Sequence, residues 1–435
     1  MPPMPDAVLI PTIPHPITGR FQPPGSKSIT NRAVIVAAAA TGTSQLTGVL
    51  DSDDTRVMAA GLTQLGVAVE TDWPAARMTI EGCGGRLPAA TAVIDCRASG
   101  TTMRFLTALC SLGAGPYRLD GTARMRQRPI GDLIDALGHL GLQARAESPG
   151  RCPPVTIAGG PPTAVETAGL TVRGDISSQF ASGLAMIGPC LAGGLRISFA
   201  GELVSWPYLE MTDRVMHAFG SSSTLSHDTW NIQASGYRGR DYAIEPDASA
   251  ASYFLAMAAL TGGSMRVDGL GRESLQGDVG FAEALGEMGC EVLWHANAIE
   301  IRGRASRGIE IDMNAISDTV PTLAVVACFA ESPTLIRNVR HIRDKETDRI
   351  SDLARELRKL GGNIDEHDDG LQITPAPLHA ARLATYDDHR MAMSLSLAGL
   401  RTEGVVIEDP ACVGKTFPGY WEAFAAVTGK PCLPA

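Results

Sequence analysis

The chain contains no apolar run near the roughly 18 residues that a membrane-spanning helix requires. Its proline-rich start, "MPPMPDAVLIPTIPHP", also lacks the basic and apolar regions of a secretory signal. A cytoplasmic protein with no membrane partner is expected. Aromatic residues supply only 5% of the 435 positions, so tight packing must come from aliphatic and small side chains. The nine cysteines are odd in number and include no CxxC pair, which argues against a disulfide framework or a zinc ribbon and predicts free, reduced thiols. The nine histidines are scattered, and no metal is expected. A formal net charge of −10 argues against nonspecific nucleic-acid binding, so a negatively charged substrate must meet a local cluster of cations.

What is present points to a globular protein of more than one domain. Apolar residues make up 44% and charged residues 19% of the chain, and 435 residues exceed what one core organises. One phrase recurs six times: an apolar helical stretch closing on glycine, followed by a strand-like run. The closing glycines are Gly66, Gly141, Gly220, Gly289, Gly361 and Gly429, at intervals of 75, 79, 69, 72 and 68 residues. Glycine at such a position suits the left-handed residue that ends a helix. Upstream of each phrase a second helix opens on Ser, Thr or Asp as an N-cap, in "SKSITNR", "SGTTMR", "SSQFAS", "DASAASYF", "SDTVPTLA" and "DDHRMAM". Six α/β units divide into two halves of three, with seams at "QPPGSK" near residue 24 and "RDYAIEPDA" near residue 244.

The cations occupy unexpected places. Lys27 and Arg32 sit in the first helix opening, Arg104 and Arg390 follow "SGTTM" and "DDH", and Lys345 and Arg349 frame "KETDR", read as another helix start. A cation beside a helix N-terminus costs about 0.3–1 kcal/mol unless an anion joins it. Several such starts, each with free N–H groups, make a site for a phosphorylated or carboxylated small molecule. "VGKTF" at 413–417 is not a phosphate-binding P-loop, because Asp409 stands where that motif needs glycine; Lys415 remains a point charge for an anion. Glu346, between Lys345 and Arg349, is read as a salt-bridge partner or as a group that handles a proton beside a bound anion. Asp318 fits an N-cap and a general base, and one carboxylate can serve as both.

The motifs "PPGSKSITNR", "SGTTMRFL", "RMRQRPIGDLIDAL", "SSQF", "ELVSWPY", "EPDASAASYFLA", "DMNAISDTVPTLA", "KETDRI", "YDDHRMAMSLSLA" and "GKTFP" span nearly the whole chain. Together they resemble the 5-enolpyruvylshikimate-3-phosphate synthase family of enolpyruvyl transferases. The resemblance implies an α/β fold of two domains, each of three βαβαββ repeats with helices packed inside, the inside-out α/β barrel of these transferases. Residues 1–24 plus 244–435 would form a discontinuous domain carrying Asp318 and Glu346, and 25–243 a domain carrying Lys27, Arg128 and Gln179. The implied reaction joins phosphoenolpyruvate to the 5-hydroxyl of shikimate 3-phosphate and releases phosphate, in chorismate and aromatic amino acid biosynthesis, with no metal or organic cofactor, in a monomer.

Carried over motif by motif, the resemblance assigns shikimate 3-phosphate to Lys27, Ser28, Arg32, Ser177, Ser178, Gln179, Ser205, Asp318 and Lys345. It assigns phosphoenolpyruvate to Lys27, Gly100, Arg128, Gln179, Arg349, Arg390 and Lys415. Asp318 would be the base for the 5-hydroxyl, Glu346 the acid that protonates the enol methylene, and Lys27 would serve both ligands. Arg97 and Ala98 stand where many members read Gly and Asn, which removes an amide near the phosphoenolpyruvate phosphate and bears on glyphosate, the family's competitor for that ligand. His341 replaces an Asn of some members. The UDP-N-acetylglucosamine enolpyruvyl transferases share the fold, but their loop cysteine motif is absent; a noncatalytic anion-binding homologue is the other alternative, opposed by Lys27, Asp318 and Glu346 together. Because the cations divide at residue 244, the halves are expected to repel until two anions draw them together about Pro23, Pro24 and Gly25.

Overall fold

Two strands that pair in parallel need a crossover between them, and a helix supplies it. In the computed structural model, which describes residues 4–158, 168–174 and 177–435, this device is used repeatedly. Strand Ala92–Asp95 leads through helix Gly100–Cys110 to the parallel strand Tyr117–Asp120. Helix Gly131–His139 then leads into the hairpin of Ala144–Ser148 and Cys152–Ile157, whose second strand pairs antiparallel with Tyr117–Asp120. The same βαβαββ order runs from Ala168–Arg173 to Thr229–Ile232 and from Glu310–Asp312 to Gly370–Thr374.

The described residues form six four-stranded sheets, and three of them borrow a strand from far along the chain. Asp241–Ala243 pairs in parallel with Thr41–Thr47. Thr18–Phe21 pairs in parallel with Ser264–Asp268, and Ala7–Leu9 lies between Val405–Glu408 and Leu433–Pro434. The chain therefore divides into two units, Met1–Pro24 with Pro246–Ala435, and Gly25–Glu245. The second boundary falls at 245 rather than 243, because the Ser26 N–H still donates to the Glu245 carbonyl at 2.8 Å, just beyond the paired strand Asp241–Ala243. Residues 1–3 at the head of the first segment, and 159–167 and 175–176 within the second unit, lie outside the described residues.

The two helices of each repeat differ in burial. The first is enclosed on all sides: every residue of Gly100–Cys110, Ala248–Thr261, Val320–Ala327 and His389–Gly399 is buried. Sequences such as "ASAASYFLAMAALT" suit that place, being apolar or small all round. The second helix buries one face and ends where the sequence predicts, with positive φ at Gly66, Gly141, Gly220, Gly289, Gly361 and Gly429. Five of the six expected N-caps also form: the side chains of Ser26, Ser99, Ser177, Asp247 and Asp388 each accept a backbone N–H of the helix they precede.

The sixth start differs. Residues Asn314–Thr319 form a 3-10 turn, and helix Val320–Ala327 begins without a side-chain cap. Asp318 is not its N-cap, because its carboxylate is engaged by arginines. "KETDR" is not a helix start either: helix Ser351–Lys359 begins after it. The Asp348 carboxylate accepts the N–H groups of Ile350 and Ser351 at 3.1 and 3.0 Å, so the turn bearing Lys345, Glu346 and Arg349 precedes the helix.

Candidate active site

In the discontinuous unit the openings of three enclosed helices bring Ser249, Asp318 and Arg390 together. Arg390 donates through Nη2 to Asp318 Oδ2 at 2.6 Å and to Ser249 Oγ at 3.3 Å. Arg349, only 1% exposed, reaches three carboxylates. Its Nη1 meets Asp318 Oδ1 at 3.1 Å, its Nη2 meets Glu346 Oε2 at 2.9 Å, and Nε and Nη2 meet Asp388 at 2.7 and 3.1 Å. Burial pushes the Arg349 guanidinium down, but Asp388, Glu346 and Asp318 together raise it above its ordinary value. Lys415 donates to Glu346 Oε1 at 2.8 Å. Asp318 and Glu346 each bridge two cations, and Arg349 is common to both.

Such a cluster is costly to bury and tolerable only when every charge has partners. Asp388 supplies the missing anchor: it caps helix His389–Gly399 through the Arg390 N–H at 2.9 Å and fixes Arg349 from the other side. Tyr386 and Asp387, just before it, both have positive φ, a strain of about 1–3 kcal/mol each that surrounding contacts must sustain. Those contacts converge on the buried carboxylate of Glu356, which accepts the Ala384 N–H at 2.9 Å and the Tyr386 hydroxyl at 2.5 Å. His341 is buried, and that burial, with the nearby Lys345 charge, pushes its imidazole down to about 3, so it is neutral at ordinary pH.

In the Gly25–Glu245 unit Lys27, Gly100 and Ser178 are first residues of the enclosed helices Lys27–Ala39, Gly100–Cys110 and Ser178–Ile187. Lys27 Nζ lies 3.9 Å from Asp54 Oδ2. Gln179 Nε2 donates to Thr101 Oγ1 at 3.4 Å, joining two of these openings. The buried side chains of Arg104 and Arg128 crowd Gly100, where an added Cβ would lie 2.6 Å from Nη1 of each. Arg32 donates to Thr212 Oγ1 at 2.6 Å, Ser182 Oγ at 3.4 Å, and the carbonyls of Tyr208 at 3.3 Å and Ser28 at 3.1 Å. Burial lowers its guanidinium to about 10, still charged at neutral pH. Ser205 sits at φ 56° before helix Trp206–Ala218. Arg97 adopts φ 46°.

The structure thus gathers Asp318, Glu346, Arg349, Arg390 and Lys415 in one unit and puts Lys27, Gly100, Ser177, Ser178 and Gln179 at helix openings in the other, where Arg128, at the end of the 3-10 turn Met125–Gln127, lays its side chain against Gly100. Ser249, Asp278 and Asp388 were not among the site residues read from the sequence, and Arg104 was read only as one of the helix-start cations. "DDH" did signal a cap at Asp388, but nothing in its spacing announced the contact with Arg349. Among the described residues no group of His, Cys, Asp and Glu could hold a metal, and no helix is long and apolar enough to cross a membrane.

The chain is similar to known proteins over nearly its whole length. A family model described as EPSP synthase (3-phosphoshikimate 1-carboxyvinyltransferase) matches residues 11–424. A 3-phosphoshikimate 1-carboxyvinyltransferase from Trichormus variabilis is 43% identical over 98% of this chain and 100% of its own. One from Thiobacillus denitrificans is 46% identical over 94% and 97%. The solved EPSP synthase from Acinetobacter baumannii superposes with a TM-score of 0.80 at 26% identity, covering 98% of this chain and 99% of that one. The enolpyruvyl transferase NikO from Streptomyces tendae shares the fold, with a TM-score of 0.75 at 20% identity over 98% of both chains. With matched family residues running from one end of the fold to the other, the chain belongs to the EPSP synthase (3-phosphoshikimate 1-carboxyvinyltransferase) family.

Proposed function

We infer that the protein transfers the enolpyruvyl group of phosphoenolpyruvate to the 5-hydroxyl of shikimate 3-phosphate and releases phosphate. The observation that carries the reading is the pair of carboxylates, Asp318 and Glu346, bridged by one buried guanidinium, Arg349. Asp318 takes the proton of the 5-hydroxyl, whose oxygen attacks C2 of phosphoenolpyruvate. Glu346 gives a proton to the C3 methylene. The resulting tetrahedral adduct loses a C3 proton and expels phosphate, which restores the double bond. Fixed positive charge stabilises the leaving phosphate without reorganisation.

The charge balance of the cluster explains how Glu346 could come to carry a proton. While Lys415 and Arg349 both hold it, the ionised form is favoured. A phosphate or carboxylate arriving at those two cations takes over part of their charge, and the proton on Glu346 becomes easier to hold. In the other unit Lys27, Arg128, Gly100 and Gln179 would contact phosphoenolpyruvate, and Lys27, Ser28, Arg32, Ser177, Ser178, Gln179 and Ser205 the shikimate phosphate and ring, with Lys345 adding a further cation. The enzyme on this reading is a cytoplasmic monomer, consistent with nine free cysteines.

Phosphate release tests the assignment. It should require both phosphoenolpyruvate and shikimate 3-phosphate, and UDP-N-acetylglucosamine should not replace the latter. Turnover with the sugar nucleotide, or none with the expected pair, would overturn it.

A further inference from the structure

Behind the Arg390–Asp318 contact lies a second buried carboxylate that the reaction above does not use. Asp278, 5% exposed, sits in the 3-10 turn Gly277–Gly280. Its Oδ2 accepts the hydroxyl of Ser249, and the same Ser249 oxygen accepts Arg390 Nη2 at 3.3 Å. Arg390 Nη2 in turn reaches Asp318 Oδ2. The result is a continuous chain: Asp278, Ser249, Arg390, Asp318. Asp278 Oδ1 is buried and accepts no hydrogen bond from the described residues, so an ionised carboxylate there is poorly solvated.

We propose that Asp278 is a positioning residue for the base, acting through Ser249 and the shared Arg390 to set how firmly that guanidinium holds Asp318. The inference rests on the reading of Asp318 as the base. The charged groups acting on Asp278 are Asp318 on the 3-10 turn Asn314–Thr319, Arg390 on helix His389–Gly399 and Asp247 at the cap of helix Ala248–Thr261. Burial first, then the Asp318 charge, push its carboxyl up to about 7, against the opposing pull of Arg390 and the Ser249 hydroxyl. Below that pH Asp278 is neutral, and of the two carboxylates only Asp318 draws on the Arg390 charge. Above it, two anions share the guanidinium, the hold on Asp318 slackens, and Asp318 accepts a proton more readily.

The test compares kcat/KM against pH for the wild-type enzyme and Asp278→Asn. The phosphates of both substrates also titrate, with a second pKa near 6, but that effect cancels in the ratio of the two enzymes. The ratio should be level below about pH 6 and should rise about three- to tenfold in favour of the wild type by pH 8, with KM little changed. A ratio independent of pH overturns the proposal. If Asp278→Asn does not fold, Ser249→Ala carries the test: without the hydroxyl that links Asp278 to Arg390, the step in the profile should shrink, and a step of undiminished size overturns the proposal. Asp318→Asn is measured alongside. If it retains near-normal turnover, the base assignment itself fails; if it is inactive while the Asp278→Asn ratio is flat, only the present inference fails.

Discussion

Arg349 is held by three carboxylates at once, and this explains why the two proton-transfer groups can be changed without dismantling the cluster. Asp388 alone fixes the guanidinium through Nε and Nη2, so neutralising Asp318 or Glu346 removes one of several contacts. Asp318→Asn and Glu346→Gln should each lower turnover by about 10²-fold or more while substrate binding stays within roughly tenfold, as expected of proton-transfer groups. Steady-state rates with parallel binding titrations check this, and near-normal turnover in either variant removes that residue from its role. The sequence named both carboxylates and the cations beside them. It could not show that Arg349 joins the two, because the contact spans 31 residues from Asp318 and 39 from Asp388, and such pairings leave no periodic trace.

At the scale of elements, the openings of the enclosed helices matter most, and they were legible because their chemistry is local. A small polar residue two or three positions before a backbone N–H caps a helix wherever it occurs, and five of the six openings followed that rule. The rule failed at Asp318, where long-range arginines compete for the carboxylate, and at "KETDR", where Asp348 takes the capping contacts and delays the helix. Gly100 shows what an opening contributes beyond its cap. An added Cβ would press on the Nη1 atoms of Arg104 and Arg128, both ends of flexible side chains, so Gly100→Ala should fold normally but displace the cations. Losing one charge-assisted contact costs about 1.5–3 kcal/mol, so KM for phosphoenolpyruvate should rise tenfold or more while that for shikimate 3-phosphate changes little. Unchanged inhibition by glyphosate in this variant would show that the pocket lies elsewhere.

For the whole molecule, the sixfold repeat was readable from its glycines, but the route of the chain was not. Ala7–Leu9 and Thr18–Phe21 complete sheets whose other strands lie beyond residue 260. Short strands of three and four residues carry too little pattern to name a partner so far away. On the proposed route a proton is added to C3 of phosphoenolpyruvate and one is removed again, with Glu346 as donor. Running the reaction in deuterium oxide and examining the product by NMR tests that claim most directly. Addition makes C3 a methyl group that carries solvent deuterium, and elimination leaves part of it on the vinyl carbon. Deuterium should be found at that carbon in the product, appearing about 10²-fold more slowly with Glu346→Gln; product formed at the full rate with no deuterium there would rule the route out.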